Sequence, residues 1–165
     1  MTKILFVCHG NICRSPMAEF VMKFLVKESG LENDFLIESK ATSTEEIGNP
    51  PHPETLKKLS RQKIPVFNHR AAQIQRDDAE KYDFIIGMDC FNIKNIQRIL
   101  GGGSKRNVFR LLDFTSCPRD IADPWYTGNF DETFDDIMEG CRGLLEKLTN
   151  GSLEKKGIES TYNYR

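Results

Sequence analysis

A short apolar run near the N-terminus constrains the fold of this chain more than any other feature. Lys3 to Cys8 reads KILFVC, which is nearly continuous in apolar residues where a half-exposed strand would alternate. A strand of that kind is buried on both faces, as in a parallel sheet covered by helices on each side. Ser15-Pro16 follows closely. Because serine is a good N-cap and proline suits the first helical position, the strand is predicted to lead directly into a helix.

Strand and helix signals alternate along the rest of the chain. Such alternation predicts an open parallel sheet with helices on both faces, and ligands of these sheets bind beyond the carboxyl ends of the strands. A long loop is expected from Asp113 to Asn129. Strands are predicted over 3–8, 35–41, 82–88 and 107–112, and helices from Ser15 to Gly30, over 53–63, around Ile93 to Leu100 (ended by glycines 101 to 103) and along the apolar stripe from Phe134 to Leu148.

Length and charge restrict the function classes. The 165 residues fit one domain, which we place at 1–148, and the weakly apolar stretch 149–165 is predicted to be a flexible C-terminal tail. A formal net charge of −1 offers no basic surface to nucleic acid or to an anionic membrane. No apolar run approaches the ~20 residues of a spanning helix. The expected partners therefore include neither nucleic acid nor a membrane.

The cysteines indicate a reducing environment. Their number, five, is odd, and they lack the dense spacing of a disulfide framework. This usage is typical of the cytoplasm, where thiols stay free. With no Cys-x-x-Cys pair and three scattered histidines, the sequence predicts no metal site.

The loop between the first strand and the first helix carries the strongest chemical signal. It reads CHGNICRS from Cys8 to Ser15, so five residues separate a thiol from a guanidinium. A backbone of that length can curl so that its N–H groups surround a tetrahedral dianion, aided by the helix N-terminus. Gly10 and Asn11 both tolerate the left-handed backbone that such a curl requires. The predicted phosphate-binding residues are His9, Gly10, Asn11, Ile12, Cys13 and Arg14.

Cys8 is the candidate nucleophile of this loop. The positive field that binds phosphate also favours a thiolate, which is the nucleophilic form of cysteine. Ser15 is placed to donate a hydrogen bond to the sulfur, and the fork of Arg14 suits two phosphate oxygens. Attack on phosphorus would give a thiophosphate ester, with the loop binding the equatorial oxygens of the transition state.

These residues resemble a known family. VCHGNICRSPMAE at 7–19 is similar to the signature of the low-molecular-weight protein tyrosine phosphatases, and the similarity continues to about Leu148. It includes SKATSTEEIGNPPH at 39–52, Met88-Asp89 and DPWYTG at 123–128. The resemblance implies a three-layer α/β/α fold of flavodoxin-like type with a four-stranded parallel sheet, and no metal or organic cofactor. It also implies hydrolysis of phosphotyrosine proteins or small aryl phosphates, with inorganic phosphate as product.

The resemblance assigns the general acid to Asp123. Protonation of a departing phenolate contributes ~10²–10⁴-fold in rate, and the same carboxylate would then activate water. Pro124 restricts the backbone before it and so aims the carboxylate. Trp125 and Tyr126 are predicted to form a slot for the phenyl ring. The predicted substrate pocket comprises Ile12, Glu45, Glu46, Asn49, Trp125 and Tyr126.

Supporting roles also follow from the resemblance. Ser39 and His69 are expected to fix Asn11, and bulky Ile12 favours an aromatic substrate because relatives that prefer phosphoarginine carry a small polar residue there. Cys13 is expected either to trap oxidised Cys8 as a reversible disulfide or only to pack. His9 either adds positive charge at the pocket mouth or faces solvent, and Glu45 leaves one wall open and negative.

Two other functions fit the same loop. An arsenate reductase needs further cysteines for a disulfide relay, but Cys90 and Cys117 are 27 residues apart and do not form the short pair that such relatives use. A phosphopeptide-binding module without turnover has no use for Asp123-Pro124. Phosphotyrosine hydrolysis is therefore the preferred hypothesis. The protein is expected to be a monomer or a weak dimer.

Overall fold

A four-stranded parallel sheet forms the centre of the molecule, as predicted. The computed structural model describes residues 1–101 and 107–154. Within them the strand order is β2-β1-β3-β4, with every neighbouring pair parallel. The strands are β1 (Thr2–Cys8), β2 (Phe35–Ala41), β3 (Phe84–Gly87) and β4 (Val108–Arg110).

Register brings the carboxyl ends of the strands to one edge. Cys8, the last residue of β1, pairs with Ala41 of β2, and Val7 pairs with Gly87 of β3. Residues that directly follow β1 and β3 therefore meet at this edge, which is where ligands of open parallel sheets bind.

Helices cover both faces of the sheet, which confirms the three-layer arrangement. On one face, Ile4 and Phe6 of β1 share an apolar cluster with α1 and α6. On the other face, Leu5 and Val7 share a cluster with α4. The helices are α1 (Arg14–Glu28), α2 (Pro53–Arg61), α3 (Asp78–Lys81), α4 (Cys90–Leu100), α5 (Pro124–Thr127) and α6 (Phe130–Thr149), and single 3₁₀ turns occupy Glu32–Asp34 and Leu111–Phe114.

The fourth predicted strand, 107–112, is too long. It ends at Arg110 because the guanidinium of Arg110 donates to Oδ1 of Asp113 at 2.9 and 3.1 Å, and the chain between them closes into a 3₁₀ turn. The predicted strand 82–88 is likewise shortened to Phe84–Gly87. The loop expected over 113–129 contains α5.

The start of the first helix also differs from the prediction. Helix α1 begins at Arg14 with Cys13 in the N-cap position and no side-chain cap. The Ser15 hydroxyl is therefore inside the helix, where it accepts a hydrogen bond from Asn11 Nδ2 at 2.7 Å. Ser15 therefore contacts Asn11 of the loop that precedes α1 and does not cap the helix, contrary to the prediction.

The folded body extends slightly past the predicted domain end at 148. Helix α6 continues to Thr149, and Leu153 packs against the core. Gly101 ends α4 with φ of 82°, as expected. Gly102, Gly103 and most of the predicted tail, 155–165, lie outside the described residues. Across 1–101 and 107–154, no helix is both long enough and apolar enough to cross a membrane.

Candidate active site

The phosphate loop, residues 8–14, curls around the sulfur of Cys8. The backbone N–H groups of Asn11 and Ser15 donate to Sγ at 3.3 and 3.4 Å, and Ser15 Oγ lies 3.1 Å from it. Ser15 Oγ accepts from Asn11 Nδ2, and its one proton is shared between two acceptors, a Cys8 thiolate and the Lys40 carbonyl oxygen at 3.5 Å. Donors in this arrangement stabilise a thiolate.

The left-handed backbone expected in the loop is present at one position. Asn11 has φ of 59°, which confirms that prediction. Gly10 does not adopt a positive φ, so of the two residues that tolerate this backbone only Asn11 uses it. A Cβ at Gly10 would lie 3.4 Å from Cγ of Glu46, so a side chain there would point at the pocket rim.

Asn11 is fixed by a buried polar network. Its Nδ2 donates to Ser39 Oγ at 3.0 Å, and His69 Nε2 lies 3.1 Å from its Oδ1. Because an amide oxygen only accepts, Nε2 of His69 carries the proton. Ser39 Oγ in turn donates to Glu19 at 2.7 Å. Ser39 and His69 occupy the expected places, whereas Glu19, which is buried, was missed, although a lone acidic residue in the apolar run 17–21 was a usable signal.

Arg14 is buried and held by acceptors from distant parts of the chain. Its Nη1 donates to Asp89 Oδ2 at 2.6 Å and to the Ile121 carbonyl at 2.9 Å, and its Nη2 lies 3.4 Å from Asp123 Oδ2. Burial alone would lower the pKa of Arg14, but the negative charges of Cys8, Asp89 and Asp123 raise it. The guanidinium therefore stays charged and oriented. Asp89 was not predicted as a site residue, although its place directly after β3 pointed to this edge.

Asp123 lies at the start of α5. Its Oδ1 accepts from the Trp125 backbone N–H at 3.1 Å and caps the short helix, while Oδ2 faces Arg14. The backbone is extended, with φ of −79° and ψ of 115°, as expected of a residue before proline. One carboxylate thus joins the α5 loop to the phosphate loop.

A cavity of about 100 Å³ opens above the sulfur. Most of the predicted site residues line it, but Asn49 does not: its Nδ2 donates to Glu46 Oε2 at 2.6 Å and holds that carboxylate in place. Asn11, although part of the same loop, is fully buried and does not line the cavity either. The lining consists of Cys8, His9, Gly10, Ile12, Cys13, Arg14, Glu45, Glu46, Asp123, Trp125 and Tyr126.

The mouth of the cavity is polar on one side and aromatic on the other. His9 is exposed, and its Nε2 lies 3.0 Å from Glu45 Oε2, so the ring both faces solvent and contacts its acidic neighbour. Trp125 and Tyr126 are 58% and 83% exposed, and the Trp125 ring meets His52 edge-on at 5.9 Å between centroids. The two aromatic side chains form one wall of the mouth, and much of the surface of each ring is exposed to solvent.

Cys13 lines the same cavity as Cys8. Burial, followed by the negative charge of Cys8, raises the pKa of Cys13 to about 12. Cys13 is therefore a neutral thiol near pH 7. All five cysteines are free, and Cys90 and Cys117 are exposed. Among the described residues, no group of three or more histidine, cysteine or acidic side chains is arranged to hold a metal ion.

Comparison with known proteins places this geometry in a family. The model of the family "low molecular weight phosphotyrosine protein phosphatase" matches residues 3–156. The low molecular weight protein-tyrosine-phosphatase YfkJ of Bacillus subtilis is 40% identical over 150 residues, which are 90% of this chain and 96% of that protein. PtpA of Staphylococcus aureus (strain MRSA252), of the same description, is 34% identical over 158 residues, 95% of this chain and 100% of PtpA.

Solved structures agree with the sequence relatives. The crystal structure of YfkJ superposes with a TM-score of 0.89 at 38% identity, covering 93% of this chain and 98% of YfkJ. The low molecular weight protein tyrosine phosphatase of Streptococcus pyogenes superposes with a TM-score of 0.81 at 39% identity, covering 90% and 93% of the two chains. Sequence, fold and site geometry lead to one conclusion: this chain belongs to the low molecular weight phosphotyrosine protein phosphatase family.

Proposed function

We propose that Cys8, Arg14 and Asp123 divide the chemistry of phosphotyrosine hydrolysis in this protein-tyrosine phosphatase. The observation that carries the proposal is the environment of the Cys8 sulfur. It is surrounded by the N–H groups of Asn11 and Ser15 and by the Ser15 hydroxyl, in one cavity with a buried guanidinium and a loop carboxylate. That set supplies a nucleophile, an anion-binding group and a proton carrier.

In the first step the Cys8 thiolate attacks phosphorus. Arg14 and the inward N–H groups of the phosphate loop bind the three non-bridging oxygens, whose charge grows in the transition state. The ester bond to the tyrosine oxygen breaks as the S–P bond forms. Asp123, in its protonated form, gives its proton to the departing phenolate, which leaves as neutral tyrosine.

In the second step water releases the phosphate. Asp123, now a carboxylate, takes a proton from a water molecule whose oxygen attacks the phosphocysteine. The S–P bond breaks, inorganic phosphate forms and the thiolate of Cys8 is restored. Reuse of one carboxylate as acid and then as base requires it to stand directly above the sulfur, and the contact of Asp123 with Arg14 supports that position.

The shape of the cavity favours an aryl phosphate. Ile12, Trp125 and Tyr126 all line the cavity, so a phenol ring attached to a phosphate at Cys8 would lie between Ile12 and the wall formed by the two aromatic side chains. Rings stack well on such aromatic faces. The short side chain of phosphoserine would not bring its phosphate down to Cys8, and apolar Ile12 offers no hydrogen bond to a phosphoarginine.

The same proposal covers location and assembly. Five free thiols fit the reducing cytoplasm. One chain supplies Cys8, Arg14 and Asp123 to the same cavity, so a monomer or weak dimer suffices for the proposed chemistry. Sedimentation velocity tests this when it is run at protein concentrations from about 1 to 100 times that of the assay. Specific activity is measured at the same concentrations, and it should not change with the oligomeric state.

Two variants test the chemistry. Cys8→Ser should abolish hydrolysis of p-nitrophenyl phosphate and of a phosphotyrosine peptide, and it should prevent the labelled phosphoenzyme that acid quenching traps in the wild type. Asp123→Asn should lower kcat by ~10²–10⁴-fold for phenyl phosphate and by less for p-nitrophenyl phosphate, because an acidic phenol departs without help. Cys117→Ser, at an exposed thiol outside the cavity, is the control.

The outcome also separates the alternative functions. A phosphopeptide-binding module would retain the peptide without releasing phosphate, and an arsenate reductase would consume thiol reductant when arsenate is added. Turnover by Cys8→Ser, or a phosphoarginine substrate hydrolysed faster than phosphotyrosine, would contradict the proposal.

A further inference from the structure

A second cavity, of about 410 Å³, adjoins the catalytic one. Four residues line both cavities, namely His9, Arg14, Asp123 and Tyr126. The second volume lies within the ~300–1,000 Å³ of ordinary ligand sites, whereas the catalytic cavity falls below that range. A protein substrate whose phosphate reaches Cys8 can therefore extend its neighbouring residues into the second cavity.

Two exposed aromatic side chains bound the second cavity. Phe91, at the start of α4, is 73% exposed, and Tyr126, on α5, is 83% exposed. Asn92 and Asn95 of α4 also line it. Exposed aromatic rings beside a polar lining are typical of surfaces that bind another molecule. The proposed chemistry of Cys8, Arg14 and Asp123 makes no use of Phe91.

Charge is distributed unevenly across the mouth. Glu45 and Glu46 line the catalytic cavity, so its rim is acidic on that side. On α4, by contrast, Lys94 is exposed with Nζ 5.8 Å from the centroid of the Phe91 ring, and exposed Arg98 donates to Asn95 Oδ1 at 3.1 Å. Asp89 also lines the second cavity, but its carboxylate is paired with Arg14 at 2.6 Å. An acidic side chain of a bound substrate is therefore favoured farther along α4, beside Lys94 and Arg98, and disfavoured near Glu45.

We propose that this second cavity binds the polypeptide segment that flanks phosphotyrosine in a protein substrate. An apolar side chain of that segment lies between Phe91 and Tyr126, and an acidic residue beyond it faces Lys94 and Arg98. The inference rests on the proposed function, because the segment is positioned by the phosphotyrosine held at Cys8. We favour a flanking peptide as the occupant because the two cavities are continuous. They share the lining residues His9, Arg14, Asp123 and Tyr126.

Matched phosphotyrosine peptides test the proposal. One set carries an apolar residue followed by an acidic residue on one flank of phosphotyrosine, and the reference set carries glycine and lysine at those positions; both flanks are tried. The readout is the ratio of the two kcat/KM values, which cancels any general change in activity. For the wild type we expect a ratio of about 10 on one flank. Phe91→Ala should reduce that ratio to about 1, and Lys94→Gln should reduce it in part.

Controls keep the result specific. Phe91→Trp retains an aromatic wall and should retain the ratio. Val66→Ala removes an exposed apolar side chain outside both cavities and should leave the ratio and p-nitrophenyl phosphate hydrolysis unchanged. A wild-type ratio near 1 on both flanks, or a ratio that persists in Phe91→Ala, overturns this inference alone. Failure of the wild type to hydrolyse p-nitrophenyl phosphate overturns the proposed function as well.

Discussion

At the scale of single residues, the site depends on charges that are buried but paired. Arg14 is 2% exposed and Glu19 is 5% exposed, yet each has partners of opposite charge. Removing one partner of a buried pair is costly because the remaining charge is left in a poorly solvating environment. A partner such as Asp89, which pairs with Arg14, therefore affects activity although it is not proposed to bind the phosphate.

Asp89→Asn should lower kcat/KM for p-nitrophenyl phosphate by about 10- to 100-fold, because a guanidinium displaced by a fraction of an ångström binds the transition state less well. The reason lies in the 2.6 Å contact between Asp89 Oδ2 and Arg14 Nη1. Steady-state kinetics provide the measurement. Asp120→Asn is the matched control, since Asp120 pairs with Arg110 outside the cavity. Unchanged kinetics in Asp89→Asn would mean that Arg14 is oriented by its other partners.

Cys13 should protect Cys8 from irreversible oxidation. Hydrogen peroxide converts the Cys8 thiolate into a sulfenic acid. Cys13 then attacks that sulfur, and the S–O bond breaks as the S–S bond forms, with the sulfenic hydroxyl and the thiol proton leaving together as one water molecule. Because the pKa of Cys13 is raised to about 12, this trapping should accelerate as pH rises from 7 to 9. Activity recovered with dithiothreitol after a peroxide pulse measures it.

The expected pattern distinguishes trapping from packing. The wild type and Cys117→Ser should recover most of their activity, whereas Cys13→Ser should recover little because its Cys8 proceeds to the sulfinic acid. Equal recovery in all three proteins would assign Cys13 a packing role only.

Residue-scale prediction from sequence succeeded where chemistry is local. Cys8, Asn11 and Arg14 share one loop, so their spacing alone indicated a phosphate-binding curl. Asp89 was not recognised because its partner Arg14 lies 75 positions earlier, and no short motif expresses that contact. Asn49 was placed in the pocket by resemblance, but its contact with Glu46 turns it away from the cavity.

At the scale of elements, α6 and the Leu111–Phe114 turn pack unusually closely. A Cβ built on Gly143 would lie 2.3 Å from the Phe114 carbonyl oxygen, and one on Gly140 would lie 2.5 Å from Leu111 Cγ. Backbone so close to the helix leaves no room for a side chain. This contact holds the chain that follows β4 on its path toward Asp123.

Gly143→Ala should therefore destabilise the protein by about 1–3 kcal/mol, as overpacking generally does. Urea unfolding followed by circular dichroism measures the change in the free energy of unfolding. Arg142→Ala, at the exposed neighbouring position of the same helix, should change it by less than about 0.5 kcal/mol. A stable Gly143→Ala protein would show that the 111–114 turn moves aside without cost.

Elements with strong local patterns were predictable, and short ones were not. Strand β2 occupies Phe35–Ala41 as expected, and β1 differs by one residue. Strand β4 was overextended because the Arg110–Asp113 ion pair, which bends the chain, competes with an apolar pattern that continues to Leu112. Helix α5 is only four residues long, too short for a periodic signal.

At the scale of the whole molecule, two buried thiols and one buried phenol make the free energy of unfolding vary with pH in the alkaline range. Burial is the main cause that raises the pKa of Cys13, Tyr82 and Cys141 above ordinary values of 9.0, 10.0 and 9.0. The folded state keeps these protons where the unfolded chain releases them. The stabilisation is complete below pH 9 and declines as pH rises above it.

The free energy of unfolding should consequently fall between pH 9 and pH 11, by at most about 1.4 kcal/mol per pH unit for each group. Urea titrations at pH 8, 9, 10 and 11 provide the measurement. Cys141→Ala removes one of the three groups and should show a shallower slope, whatever its stability at pH 8. A slope identical to that of the wild type would exclude Cys141 as a contributor.

The partners of Arg14 have a consequence for biosynthesis. Asp89, Ile121 and Asp123 lie 75, 107 and 109 positions after it. A nascent chain that has left the ribosome only as far as β3 carries the nucleophile and the guanidinium but none of the later acceptors. The active site is therefore completed late in translation. In refolding from denaturant, the return of phosphatase activity reports that these distant segments have packed against the loop that contains Arg14.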